Sequence, residues 1–250
     1  MLFGKQSLDR ACHEIASVGL RSVDIWHVQN WCEHLSDGVP AVRQTLQRHG
    51  LSVQSVSAYN WPVERLPELI DTLADLGGRV LITGSTKPDI TVREFAERIR
   101  PVIERAEARE VVLGIENHAN ATIDSIASMR EMVAAAPSSA LGVALAPIHL
   151  YNRNESTMDA IHALGDRVAL CYAWDWGEPG LSNWKDPTHQ FLGTGRIDHR
   201  PIFAALRAIG HQEPIQIFAH GAEHGPPDVA TKALTEALRV ARGIAREVEG

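Results

Sequence analysis

The sequence predicts an α/β protein of the (β/α)8, or TIM, barrel class, and three observations carry that prediction. Short β-branched runs alternate with amphipathic stretches from one end of the chain to the other. Such alternation implies parallel βα units. The length, 250 residues, suits one barrel of this kind. A doubly wound open sheet gives the same alternation but usually carries a glycine-rich phosphate loop after its first strand. Here the glycine-rich stretch Gly193-Thr194-Gly195-Arg196-Ile197-Asp198 follows a long loop and lacks the GxGxxG spacing.

Only residues 1–4 precede the first helical pattern, so the first strand is expected to be short or missing, which leaves a seam in the barrel. A helix is expected over 8–18, opened by Ser7 and closed by Gly19, and then a strand over 22–27. A helix over 39–49 ends at Gly50, and a strand follows over 51–57. The helix over 63–76 ends at Gly77 and leads to a strand over 79–83. Thr91, with Glu94 three residues on, opens a helix over 92–107 that precedes a strand over 111–117. The remaining units are a helix over 123–135, a strand over 141–146, a helix over 156–164 and a strand over 168–174. A helix over 200–209, with Pro201 in its first turn and Gly210 at its end, precedes a strand over 214–219 and a final helix over 228–248. No low-complexity linker interrupts the series, so residues 1–250 are expected to form a single domain.

Composition excludes several classes of function. Apolar residues make up 44% and charged residues 22%, enough to build a core and against disorder. No apolar run approaches the roughly 18 residues of a membrane span, and the opening MLFGKQSLDR has no apolar signal-peptide core. Lys+Arg 24 against Asp+Glu 31 gives a net charge of −7 without a basic run, which argues against a nucleic-acid partner. Cys12, Cys32 and Cys171 are odd in number and form no CxxC pair. They read as reduced thiols of a cytoplasmic protein, and a zinc ribbon is excluded.

Barrel active sites lie at the C-terminal ends of the strands, and the chemistry-bearing residues gather there. Trp26 and Trp31, then Trp61, then Trp174, Trp176 and Trp184 all map to that rim. Their broad faces suit the C–H faces of a sugar; the same residues also pin long loops over a barrel mouth. His27, His118, His149 and His220 fall at strand ends, with His34, His189 and His224 in the following loops. Histidine suits proton transfer, metal ligation or hydrogen bonding to hydroxyls. Glu116 is the sharpest residue. In Val111-Val112-Leu113-Gly114-Ile115-Glu116-Asn117-His118, Leu113 and Ile115 should face the helices, turning Gly114, Glu116 and His118 to the axis. A carboxylate aimed into a barrel needs a metal, a cation, a proton or a structural salt bridge.

On these residues the chain resembles the xylose isomerase-like TIM barrels, the sugar phosphate isomerase/epimerase family that also includes endonuclease IV-type enzymes. The resemblance runs from Ser7-Leu8-Asp9 and Gly19-Leu20-Arg21-Ser22-Val23-Asp24-Ile25 through Gly114-Ile115-Glu116-Asn117-His118, His149 and Asp175. It ends on Gly193-Thr194-Gly195-Arg196-Ile197-Asp198 and the helix closing at Ala208-Ile209-Gly210. The resemblance implies a divalent cation held by Glu, Asp, His and Glu. The first position is present as Glu116. The second, from an Asp-x-x-His motif, reads Ala146-Pro147-Ile148-His149. The third, from a His-x-Lys-Asp motif, reads Tyr172-Ala173-Trp174-Asp175, and the fourth falls on Phe218. One carboxylate does not retain a hard cation, so no metal or other cofactor is expected at the usual place. The alternative is zinc or manganese at a shifted site built from Glu116, His118, His149 and His220.

The resemblance therefore implies a sugar (phosphate) isomerase/epimerase acting on a small polyhydroxylated carbonyl compound without the usual metal. Glu116 is the expected acid/base, with its pKa raised by burial unless Tyr172 donates a hydrogen bond to it, and His149 assists. Trp26, His27, Trp61, His118, Tyr172, Trp174, Asp175 and His220 are the expected substrate-binding residues. The competing reading is a non-catalytic or repurposed barrel that binds a small molecule or partner through its aromatic mouth. An abasic-site endonuclease is disfavoured by the lost metal positions and the missing basic loops. A homo-oligomer that covers the seam is a further expectation.

Overall fold

A computed structural model describes residues 1–85, 87, 89–177 and 185–249 of the chain. Seven parallel strands form one curved series: β1 (Ser22–Val28), β3 (Ser52–Ser57), β4 (Val80–Gly84), β5 (Val112–Glu116), β6 (Leu141–Leu145), β7 (Val168–Ala173) and β8 (Ile215–Ile217). Each pairs in parallel with the next. A two-residue strand, β2 (Cys32–Glu33), folds back antiparallel on the end of β1. The intervening helices are α1 (Leu8–Ser17), α2 (Gly38–His49), α3 (Leu66–Asp75), α4 (Val92–Arg98), α5 (Arg100–Ala108), α6 (Ile126–Ala135), α7 (Pro147–Asn152), α8 (Thr157–Leu164), α9 (His199–Ala208) and α10 (Pro227–Glu249).

The strand pleat sorts side chains into two layers, as the alternation requires. Val23, Ile25, Leu113, Ile115, Val143 and Leu145 pack outward against the helices in the larger apolar cluster. Val80, Ile82, Ala144, Ala146, Tyr172, Trp174 and Phe218 fill the barrel interior. Small residues let the strands close around that filling. A Cβ on Gly142 would lie 2.8 Å from both the Ala169 Cβ and the Arg167 carbonyl oxygen, so only glycine fits there.

Several elements differ from the sequence expectation for local reasons. The helix expected over 92–107 is two helices, broken at Ile99 because Pro101 sits in the first turn of α5. The segment 63–65 is a short 3-10 turn leading into α3, and α6 begins late, at the capping box of Ser125 and Ser128. Pro147 starts α7 directly after β6, where a loop was expected. The Ser7 cap and the Thr91–Glu94 capping box form as the sequence indicates.

Of the two expectations for the first strand, short or missing, the structure shows the second, since the segment is turn: Gly4 N–H bonds the Met1 carbonyl at 2.8 Å and Gln6 N–H the Phe3 carbonyl at 2.9 Å. Among the described residues no strand joins β8 to β1. The seam between them holds a mainly apolar cavity of about 380 Å³, with Phe3, Ile15, Phe203 and Leu234 in its walls and Asp24 and Gln216 on its barrel side. No helix among the described residues is long and apolar enough to cross a membrane.

Candidate active site

Glu116 closes β5 with its side chain inside the barrel mouth, 6% exposed. The next residue fixes the neighbouring segment. The Asn117 amide donates to the Ala146 carbonyl at 3.2 Å and accepts from the Ala146 N–H at 2.7 Å. That clasp places the start of α7 beside Glu116 and brings His149 Nε2 to 3.8 Å from Glu116 Oε1. The His118 ring lies over His149, with centroids 4.2 Å apart, and its Nδ1 engages the Ala119 carbonyl oxygen at 2.8 Å. On the other side the Tyr59 hydroxyl donates to Glu116 Oε2 and stands 3.4 Å from the Tyr172 hydroxyl.

A pocket of about 420 Å³ opens over this group between the segments that follow β3, β4 and β5. Glu116 and His118 form its floor with Tyr59, while Trp61, Thr83 and Lys87 stand among its walls. Trp61 is held by its indole N–H, which bonds the His27 carbonyl at 2.7 Å, and by stacking on the His27 ring at 4.9 Å. His27 thus supports the wall from behind.

The expected aromatic walls on the barrel axis are packed shut. Phe218 lies 5.7 Å from Trp26, 5.3 Å from Tyr172 and 4.5 Å from Trp174, centroid to centroid. Trp26, Tyr172, Trp174 and Phe218 are all buried, so they plug the axis and the pocket is displaced to one side. Trp174 is tied by its indole N–H to Gln190 Oε1 at 3.1 Å, and the same oxygen accepts the His220 N–H at 2.9 Å. Trp31 is exposed on the surface, Trp176 is buried, and Trp184 lies outside the described residues. His34 and His189 bond backbone carbonyls, and His224 contacts Lys5.

Asp175, expected to bind substrate, has another task. Its Oδ1 accepts the N–H groups of Trp176 and Ile197, and its Oδ2 those of Gly193 and Gly195. With four backbone donors on a buried carboxylate, it anchors the glycine-rich loop. A Cβ on Gly195 would collide with that carboxylate and with the Trp176 backbone.

Electrostatically, burial pushes Glu116 upward, but His149, His118 and the Tyr59 hydroxyl outweigh it and hold its pKa below the ordinary value. The expected upward shift is therefore reversed, chiefly by His149, and the hydroxyl that adds to the lowering is that of Tyr59. Burial lowers His149 and takes His220 down to about 4, so both are neutral at neutral pH. The Tyr59 and Tyr172 hydroxyls are raised by burial and by the nearby Glu116 charge and keep their protons. The result is a carboxylate next to a neutral imidazole, an arrangement suited to taking a proton at Glu116 and giving one near His149.

The family's cation finds no matching donor set here. Ala146 and Phe218 offer no donor atom, and Tyr172 is a protonated phenol within the aromatic plug. The alternative site built from Glu116, His118, His149 and His220 is not formed either. Among the described residues no group of three or more His, Cys, Asp or Glu side chains is placed to hold an ion. His118 has one ring nitrogen engaged by a carbonyl, and its ring packs against that of His149 at an interplanar angle of 46°.

Sequence reasoning overlooked Tyr59. Ser55 and Ser57 both turn inward toward Asp24, and Tyr59 has the same parity one step beyond β3, which was a readable signal.

A family model described as the xylose isomerase-like TIM barrel matches residues 12–241. No functionally curated protein is matched by sequence. Among solved structures, a xylose isomerase domain protein from Alicyclobacillus acidocaldarius superposes with a TM-score of 0.79 at 20% identity, covering 100% of this chain and 97% of its own. An L-ribulose 3-epimerase gives 0.77 at 18% identity over 97% and 90% of the two chains. The IolI protein, solved with a bound zinc atom, gives 0.76 at 16% identity over 96% and 93%. At such identities the likeness establishes a shared fold.

Proposed function

Since the chain belongs to the xylose isomerase-like TIM barrel family, we propose that it is an isomerase or epimerase of small polyhydroxylated carbonyl compounds, working without a divalent cation at the family's usual place. The sugar epimerases among its structural neighbours support the substrate class. The observation that carries the reading is Glu116, which lines a side-opening pocket with Tyr59 and His118 and stands beside His149. Glu116 takes the proton from the carbon beside the carbonyl and returns it. His149 and, once Glu116 holds the proton, the released Tyr59 hydroxyl supply hydrogen-bond donors to the oxygen on which the enediol develops, in place of the metal as stabilisers of that charge. Trp61 supplies an apolar face for the sugar's C–H groups, with Thr83 and Lys87 on the same pocket wall.

The lost ligand positions together with the filled axis favour one second reading, a barrel that binds a sugar-like ligand without turnover. Elemental analysis of the purified protein, followed by thermal-shift measurements against divalent ions and a panel of ketoses and aldoses, separates the two. The proposal expects no stoichiometric metal, a shift with particular sugars, and turnover that Glu116→Gln abolishes while the shift persists. A stoichiometric ion bound at Glu116 overturns the metal-free chemistry, and sugar binding with no turnover leaves the binding barrel.

A further inference from the structure

We propose that the cavity in the β8–β1 seam is a binding site of its own, for a neutral molecule with an apolar chain and a hydroxyl head group. The inference stands apart from the reading above. Among the described residues, this cavity and the pocket over Glu116 have no lining residue in common.

The cavity follows from the strand that the seam lacks. Elsewhere in the series each strand is hydrogen-bonded to the next, but here residues 1–4 form a turn and side chains bound the space between the two edges. Its walls reach from Asp24, Trp26 and Gln216 in the barrel, past Phe3 and Phe203, to Ile15 on α1 and Leu234 on α10. At about 380 Å³ it falls within the range of roughly 300–1,000 Å³ that small-molecule pockets occupy. An apolar cavity is costlier to leave unfilled the larger it is, and walls of this kind give water few partners. Closing the walls is opposed by the sheet, since β1 is held by β3 and β8 by β7. An apolar guest meets that cost.

Polar atoms on the barrel side specify the head group. The Asp24 carboxylate accepts from Ser55 Oγ at 2.7 Å and from Ser57 Oγ at 2.9 Å, one on each oxygen, so both oxygens can accept again. Gln216 Oε1 is a buried acceptor with no partner among the described residues, and the Trp26 indole N–H is a buried donor with none. A hydrocarbon leaves both unmet, and each unmet polar group carries its desolvation cost. An ammonium head donates but does not accept, and it would add a second cation where the Met1 α-amino group already acts on Asp24. A carboxylate head accepts but does not donate, and it would face the Asp24 charge. A hydroxyl does both. Trp26, which the pocket over Glu116 does not use, thereby gains a ligand to meet.

The test uses full-length protein carrying 15N in its tryptophan side chains, with 1-octanol as the probe. The Trp26 and Trp61 indole resonances are identified by their loss in Trp26→Phe and Trp61→Phe. 1-Octanol is expected to move the Trp26 resonance saturably, while that of Trp61, on the wall of the other pocket, stays in place. 1-Methoxyoctane, which accepts but does not donate, should bind about tenfold more weakly, the worth of one hydrogen bond. Octanoate should bind more weakly than 1-octanol, and benzene, which has no head group, should leave the Trp26 resonance unmoved. Ala241→Phe places a ring in the cavity from α10 and is expected to abolish the response to 1-octanol. Should that variant fail to fold, Ala245→Phe, one turn further along the same wall, serves instead. No saturable movement of the Trp26 resonance, or a movement that survives filling of the cavity, overturns the site. Equal binding of 1-methoxyoctane, or tighter binding of octanoate, overturns the hydroxyl head group.

Discussion

His149 Nε2 stands 3.8 Å from Glu116 Oε1, close enough for charge to be shared and too far for a settled hydrogen bond. The gap is one that a bound substrate hydroxyl or carbonyl oxygen closes, because catalytic hydrogen bonds commonly tighten only in the complex. Glu116→Gln keeps the shape and removes the base. It is expected to lower turnover by roughly 10²–10⁴-fold, the usual contribution of a positioned acid/base group. Sugar-induced thermal stabilisation should be retained, and its loss together with turnover would show that Glu116 chiefly binds.

The histidines that line the barrel mouth predict an acid-labile fold. Burial lowers His149 and brings His220 down to about 4, against roughly 6.5 in an unfolded chain. Groups depressed in this way bind more protons when unfolded. Stability is therefore full above the unfolded value and is lost as pH falls from about 6.5 toward 4. Glu116, also depressed, adds a loss of the same sign at lower pH. For His220 the whole window is worth at most about 3 kcal/mol, lessened by the partial exposure of the ring. Urea denaturation midpoints measured between pH 7.5 and 4.5 should fall steadily, and His220→Asn should flatten the slope. An unchanged slope in that variant would place the lability elsewhere.

Much of this was legible in the sequence because a parallel barrel imposes period-two parity on each strand. That parity alone turns Glu116 inward and sends Ile115 to the helices. It likewise puts Ala146, Tyr172 and Phe218 where a cation's donors would be. Packing between non-adjacent strands is invisible to such reasoning. Phe218 from the end of β8 meets Trp26 from β1 across the seam, and no local pattern announces that the axis closes and the pocket shifts toward Trp61. The sign of the Glu116 shift was lost for the same reason, since it depends on His149 arriving from the segment after β6 and Tyr59 from the segment after β3. Asp175 was misread because a carboxylate at a strand end looks alike whether it faces a substrate or four backbone N–H groups.

Asp175→Ala tests that assignment. The substitution leaves the N–H groups of Trp176, Gly193, Gly195 and Ile197 without their acceptor in a largely buried loop. Each unsatisfied buried donor costs about 1–3 kcal/mol, although water entry and loop rearrangement keep the four from adding. A loss of at least about 3 kcal/mol is expected in denaturant unfolding. Asp175→Asn should recover part of it, because one amide oxygen still accepts while its NH₂ faces donors. A surface-like change below about 0.5 kcal/mol would contradict the anchor.

Phe218→Ala bears on how the barrel mouth is built. The ring touches Trp26, Tyr172, Trp174 and His220, and all the space it fills lies among side chains that keep their own contacts elsewhere. Trp174 is held by Gln190 and Tyr172 by the hydroxyl of Tyr59, so neither is free to collapse into the gap. A rigid surround is the condition under which a large-to-small change costs most, and about 3–5 kcal/mol is expected. For a chain of this size that is a fall in Tm of roughly 10 °C. The gap is lined by aromatic faces, so a small apolar probe such as benzene should bind the variant and restore part of the lost Tm, while leaving the parent chain unaffected. If the variant instead kept its Tm and bound no probe, the aromatic residues of the mouth would have to be loosely packed, and the axis would be open to substrate after all.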